Sequence, residues 1–225
     1  MSDSEPDDSV FGVSEDLVPP AVIKSAGISE VDFDGLLRPP LRLQEDLANG
    51  CGGQLWPAGM VLSKYMLRKN KDELSRKSIV ELGAGGGLVG LALALHLQPA
   101  ANLTTIHITD QIPMVSLMNQ NISLNNLSSS ATATIYDWGT PPPPGIPQLP
   151  DIILAADCVY FEPAFPLLQK TLQDLIGENT VCYFCFKKRR RADLQFMKVA
   201  RKMFRVVEVD DDGDREVYGR ENIFL

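Results

Sequence analysis

The stretch SIVELGAGGGLVGLALALHL, residues 78–97, decides the reading of the fold. A short apolar run, 78–82, meets a glycine cluster, and helix-compatible sequence follows at 87–97 with Leu88, Leu91, Ala92 and Leu95 on one face. An apolar strand that turns through glycines into a helix opens a βα unit. Glycines there let the backbone approach a ligand closely, and the helix N-terminus favours polar or anionic groups.

Downstream the pattern repeats. A β-rich run, 103–109 (LTTIHIT), ends at Asp110, and a helical stretch, 112–125, carries Val115, Met118 and Ile122. A strand is expected at 131–136, then the proline-rich loop 140–150, then the buried strand DIILAAD (151–157). Helix 164–176, strand 180–186 (TVCYFCF) and helix 191–204 follow. Two short strands near 205–209 and 222–225, with no helix between them, are expected to close the chain as an antiparallel edge hairpin around DDDGD. Strands alternating with helices of this length imply a parallel sheet with helices on both faces. Upstream, Pro57 sits where a helix has its first residue. Leu41, Leu43, Glu45 and Leu47 suggest a strand of a hairpin outside the main sheet.

The chain has 225 residues and a net charge of −8. That length suits one α/β domain, read here as 17–225. The acidity is local: residues 1–50 carry 11 Asp/Glu against 3 Lys/Arg, and residues 51–225 carry 18 of each. Residues 1–16, acidic and poor in apolar content, are expected to be disordered. A neutral body gives no support for non-specific binding along a nucleic-acid backbone, which needs a basic surface. No apolar stretch reaches the ~18 residues of a membrane span. The N-terminus MSDSEPDD is neither a signal nor a transit peptide. Two histidines and four cysteines argue against a metal centre or a disulfide scaffold.

The glycine cluster fits two fingerprints. Gly85, Gly87 and Gly90 satisfy G-x-G-x-x-G, the dinucleotide pattern. Gly83, Gly85 and Gly87, preceded by Glu81, satisfy E-x-G-x-G-x-G, the pattern of S-adenosylmethionine enzymes. A tight turn without a ligand is the third reading. Asp110, ending the second strand, suits an acceptor for both ribose hydroxyls of an adenosine-type cofactor, or an N-cap for the helix after it. These residues leave a nicotinamide cofactor and S-adenosylmethionine both open.

The ordered set G-x-x-x-W-P-A (Trp56, Pro57, Ala58), E-L-G-A-G-x-G-L-V-G, T-D at 109–110, W-G at 138–139 and A-D-C-V-Y at 156–160 resembles the seven-β-strand protein-lysine methyltransferases of methyltransferase family 16. The resemblance covers roughly residues 40–225, and within the family it is greatest to the fungal methyltransferases of translation elongation factor 1-alpha. It implies a three-layer, Rossmann-like, seven-stranded sheet of order 3-2-1-4-5-7-6 with the last strand antiparallel, plus the N-terminal hairpin. It implies S-adenosylmethionine as cofactor, held by Trp56, Gly83, Ala84, Gly85, Asp110, Trp138 and Ala156. Asp157 and Tyr160, the ends of its D-x-x-Y motif, are implied to face the methyl group and the substrate lysine. Gly86 departs from the family, which often has Thr or another small residue there.

The expected enzyme is therefore an S-adenosylmethionine-dependent protein-lysine N-methyltransferase acting on elongation factor 1-alpha, monomeric and cytoplasmic, with no metal, membrane or direct nucleic-acid partner. The alternatives are a nicotinamide-dependent oxidoreductase, which would lack a Tyr-x-x-x-Lys or catalytic His motif, and an inactive binding protein of the same fold. Asp157 is expected to hold the cofactor's methionine end or steer the ε-amine, against a plainer role as a loop cap. Tyr160 is expected to wall the site and orient the amine, against a half-buried aromatic. The plainer alternative for the two tryptophans is a place in the core. D-C-V-Y also lacks the D/N-P-P-Y/W clamp of base-amine methyltransferases. The basic run Lys187 to Arg191 is expected to be a solvated face, a docking site for an acidic protein substrate or nucleic-acid phosphate, or a partner for residues 1–16 or Asp210 to Asp214. Cys182 and Cys185, three apart in a strand, should point to opposite faces and bind nothing.

Overall fold

A computed structural model describes residues 27–46, 53–98 and 105–225 of the chain. The acidic segment 1–16 lies outside the described residues.

The stretch that opens the reading forms β3 (Ile79–Leu82) and α3 (Leu88–Leu97), after β1 (Gly27–Val31), β2 (Leu41–Glu45), α1 (Pro57–Leu67) and α2 (Lys71–Leu74). Then come β4 (Ile106–Asp110), α4 (Ile112–Leu124), β5 (Ala131–Ile135), β6 (Ile152–Ala156), a 3-10 turn (Glu162–Ala164), α5 (Phe165–Leu175), β7 (Val181–Lys187), α6 (Arg191–Met203), α7 (Arg215–Arg220) and β8 (Ile223–Phe224). The main sheet has the order β5-β4-β3-β6-β7-β8. Its first five strands are parallel, and β8 runs antiparallel to β7.

The expected order is present, but among the described residues the sheet has six strands where seven were expected. Residues 205–209 form no strand; a single bond from the Val209 N–H to the Leu225 carbonyl, at 3.1 Å, ties them to the edge. The valines there have high strand propensity, yet Val206 and Val207 are exposed, so the segment has no buried face to convert propensity into pairing. The expectation of no helix before the last strand is also corrected. α7 fills that place, and only its Tyr218 is buried, so no apolar period announced it. α2 was likewise unannounced: one turn long, it is held by the Asn70 carboxamide oxygen, which accepts from the Asp72 and Glu73 N–H groups.

Side chains of the central strands alternate between two cores. Ile79, Ile152 and Leu154 face α1, α3 and α4, while Val80, Leu82, Ile153 and Ala155 face α5 and α6. α3 is apolar nearly all round because it is buried nearly all round. Gly90 lets it lie on the sheet: a Cβ there would run into Ile108 and come within 2.6 Å of Glu81 Oε2.

The hairpin β1–β2 stands apart from the sheet, as expected. Its attachment is specific. Asn121 on α4 and Asn125 at its C-cap, one turn apart, reach the outer edge of β2. The Gln44 N–H donates to Asn121 Oδ1 at 2.7 Å and the Arg42 N–H to Asn125 Oδ1 at 2.9 Å. The spacing fits because four helical residues rise about 6 Å and two strand residues about 6.7 Å. Asn121 also donates to the Gly86 carbonyl at 2.8 Å, tying hairpin, helix and glycine loop together.

Candidate active site

In an open sheet of this kind the ligand crevice lies at the carboxyl ends of the strands, where the order reverses. Here β3 leads to β4 on one side and to the later strand β6 on the other, so the crevice lies over β3. Every residue implied by the resemblance lies at or beside this edge except Trp56, which precedes α1. The residues form two linked groups.

The first group surrounds the glycine loop. Gly83 has φ +61, a backbone conformation that a side chain disfavours. A Cβ at Gly83 would lie 2.9 Å from Trp138 Cζ2 and 3.1 Å from Cys158 Sγ, so the indole is packed against bare backbone. The buried Ala84 donates its N–H to the Thr109 carbonyl at 3.0 Å, which anchors the loop to β4. The Gly85 N–H donates to Asp110 Oδ2 at 2.7 Å, and the Gln111 N–H donates to Oδ1 at 2.7 Å. Asp110 thus braces the loop and the start of α4 at once, although Gln111 rather than Asp110 is the N-cap residue. Burial raises the Asp110 pKa, the two N–H bonds oppose that, and the charge of Asp137 adds to it.

Below the loop, Glu81 is fully buried and accepts from the Gly90 N–H at 2.8 Å. Burial pushes its carboxyl from 4.5 up to about 8, against the Gly90 and Val89 N–H groups that favour its charge. The Cys158 thiol, 3.3 Å from the Leu82 carbonyl, is raised well above its ordinary value, first by burial and then by Asp110 and Glu81. It is therefore a poor nucleophile.

The second group surrounds Ala156 and Asp157, where β6 ends. Asp157 has φ +52 and donates its N–H to the Cys185 carbonyl at 2.8 Å. Its side chain, 5% exposed, accepts from the Lys187 N–H at 3.0 Å and from both Arg189 Nη atoms at 3.0 and 3.3 Å. The same Arg189 guanidinium lies over the Trp56 ring, 5.3 Å from its centroid. Trp56 itself is extended (φ −91, ψ 143) at the N-cap of α1. Tyr160 is 60% exposed, so the half-buried alternative does not describe it. The Tyr160 carbonyl accepts from Arg190 Nη2. Asp193, fully buried, accepts from the Arg189 and Arg190 N–H groups at 2.7 and 2.8 Å and so fixes the turn into α6.

This pairing revises the reading of the basic run. Its pairing with Asp210 to Asp214 is replaced. Arg189 pairs with Asp157, Arg190 with Asp193 and Lys187 with Glu221. Asp212 and Asp214 instead take Arg68, and Asp211 takes Tyr65 and Lys69. Arg189 is the residue the sequence did not reveal. Nothing in KKRRR says which of five cations turns inward. Cys182 and Cys185 pack towards opposite cores, as expected.

The first group fits an adenosyl group. Each Asp110 oxygen accepts one backbone N–H and keeps a lone pair for a ribose hydroxyl. The loop offers bare backbone, and Trp138 offers an aromatic face beside it. Among the described residues no group of three or more His, Cys, Asp or Glu could hold a metal ion. No described helix is long and apolar enough to cross a membrane.

Comparison with known proteins agrees with this geometry. A family model described as lysine methyltransferase matches residues 36–203. The chain is similar to the protein-lysine N-methyltransferase EFM6 of Saccharomyces cerevisiae, at 37% identity over 97% of each chain. It is similar to the protein N-lysine methyltransferase METTL21A of Danio rerio, at 33% identity over 79% of this chain and 80% of the other. It also resembles the EEF1A lysine methyltransferase 3 of Mus musculus, at 30% identity over 75% of this chain and 72% of the other.

Proposed function

The chain belongs to the lysine methyltransferase family, and we propose that its substrate is a lysine of translation elongation factor 1-alpha. A relative that carries this substrate in its name supports the choice. The family match also removes the nicotinamide alternative.

When bound, S-adenosylmethionine supplies a methyl group on a cationic sulfur, open to in-line displacement by an amine. The protein's part is chiefly positioning. Asp110 would take the ribose hydroxyls, and the Gly83 to Gly85 backbone and Trp138 would receive the adenosyl group. Ala156, at the end of β6, and Trp56, before α1, would help to hold the cofactor. Tyr160 orients the attacking nitrogen through its hydroxyl. The lysine must arrive neutral, since the ammonium has no lone pair and its ordinary pKa is ~10.4. A protein substrate that covers the exposed Tyr160 would desolvate the amine and favour that neutral form. The exposure of Tyr160 at the carboxyl edge of the sheet is the observation that carries this reading, because a side chain exposed there can be covered by a docking protein chain. The enzyme is taken as a monomer working in the cytoplasm, where translation runs.

Incubation with methyl-labelled S-adenosylmethionine and purified elongation factor 1-alpha tests the proposal. Label on one lysine of the factor supports it. Binding of the cofactor without turnover on the factor or in a cell extract would instead favour the inactive binding protein.

A further inference from the structure

Resting on the lysine-methyltransferase reading of this site, we infer that Arg189 is a positioning residue. It holds the Asp157 carboxylate in an ion pair against the Trp56 face, so the target lysine meets a neutralised pair rather than a lone carboxylate. Three observations carry this. Both Asp157 oxygens are taken, one by the Lys187 N–H and Arg189 Nη1 and the other by Arg189 Nη2. The Asp157 side chain is 5% exposed, so water does little to screen what Arg189 supplies. The Arg189 guanidinium has the Trp56 indole on one face, and the Arg189 backbone N–H is held by the buried Asp193.

The consequence is chemical. A lone carboxylate beside an incoming lysine favours the ammonium, which cannot attack. A paired carboxylate does not, and guanidinium never gives up its proton at working pH. Arg189 thus keeps the entrance from trapping its substrate in the charged form. It also ties the turn after β6 to the start of α1, two segments a hundred residues apart in the chain. A lysine could supply the charge but not the planar two-pronged contact with a face left for stacking.

Among the described residues, these groups face the pair. Tyr160 belongs to the same turn as Asp157. Cys185 and Lys187 come from β7, and Lys187 is itself paired with Glu221 at 3.9 Å. Asp193 and Arg190 come from the start of α6 and pair with each other. Asp110 and Glu81 act on Cys158 from the glycine-loop side, and Asp212 acts on Cys185 from behind.

The test is the pH dependence of kcat, which reports groups in the enzyme–substrate complex. Full-length wild type, Arg189→Gln, Arg189→Lys, Asp157→Asn and the double variant Asp157→Asn/Arg189→Gln are compared on one protein substrate. Arg189→Gln leaves the carboxylate alone, and its rising limb should move up by about one pH unit, a loss of roughly tenfold near neutral pH. Arg189→Lys should keep the wild-type limb with a lower kcat. Asp157→Asn leaves the cation alone and should move the limb down, and the double variant should bring it back. A limb that stays put in Arg189→Gln, or that stays displaced in the double variant, overturns the inference. Should Arg189→Gln fail to fold, Asp157→Asn and the double variant decide alone. A limb lower in Asp157→Asn than in the double supports the inference, and coincident limbs overturn it. A wild type that transfers no methyl to any lysine defeats the functional reading itself, a failure distinct from these.

Discussion

The two halves of the site handle negative charge in opposite ways. On the β3–β4 side, Glu81 and Asp110 are met only by backbone N–H groups, and both carboxyls are raised by burial. On the β6–β7 side, Asp157 and Asp193 are each met by an arginine from the run that opens α6. Peptide dipoles hold a loop in shape without bringing a rival charge to a cofactor. Arginines bring full charge, which suits an entrance that must admit an amine in its neutral form. The difference separates a half that shapes a pocket from a half that sets the charge at its mouth.

The largest expected effect tests the first half. Glu81 titrates near 4.5 in the unfolded chain and at about 8 in the folded one. Between those values the folded protein holds a proton that the unfolded chain lacks. The stability this confers is whole below pH 4.5 and falls as pH rises towards 8, where it levels off. The slope is about 1.4 kcal/mol per pH unit, on the order of 4–5 kcal/mol across the window. Glu81→Gln should flatten it. Denaturant midpoints of both proteins at pH 5, 6.5 and 8 measure it, and parallel curves would break the contrast.

The second half comes next. Asp157→Ala strands the Arg189 guanidinium, and because that guanidinium is 31% exposed the cost falls below the ~3–5 kcal/mol of a fully buried pair, at about 1–3 kcal/mol. A fall in melting temperature with loss of turnover is expected, whereas Asp157→Asn should keep more of the stability. Equal stability of Asp157→Ala and wild type would show the pair to be ornamental. For the cofactor, Asp110→Ala should weaken S-adenosylmethionine binding by about 1.5–3 kcal/mol, or roughly 10- to 150-fold. Calorimetry reads this directly, and unchanged affinity in a folded variant removes Asp110 from the site. The smallest effect sharpens the division between the halves. Tyr160→Phe should leave stability within about 0.5 kcal/mol, as for other exposed positions. Its kcat should fall with cofactor affinity unchanged, since orientation of the amine matters at the transition state. Wild-type turnover in that variant would reduce Tyr160 to a wall.

What the sequence disclosed follows the same division. The glycine loop, Asp110 and the alternating elements are legible because their signals are local: a turn, a strand end, a period. Arg189 is not, because its partners Asp157 and Trp56 lie 32 and 133 positions away and five adjacent cations look alike. The missing strand at 205–209 fails for the opposite reason. Its local signal is sound, and the burial that would realise it is absent. α2 and α7, at four and six residues, are too short to show a helical period at all.

The paired asparagines of α4 bear on how the molecule behaves in a crowd. A strand with an open edge is a template on which another chain can add itself, the first step towards aggregation. A two-stranded ribbon outside its sheet is especially open to this. β2 pairs with β1 along one edge. Along the other, Asn121 and Asn125 take the Gln44 and Arg42 N–H groups, and Asn125 donates to the Arg42 carbonyl at 2.6 Å. Two side-chain amides, set at the pitch of a helix, stand in for a third strand. The ribbon is thereby closed on that side to recruitment by a neighbour.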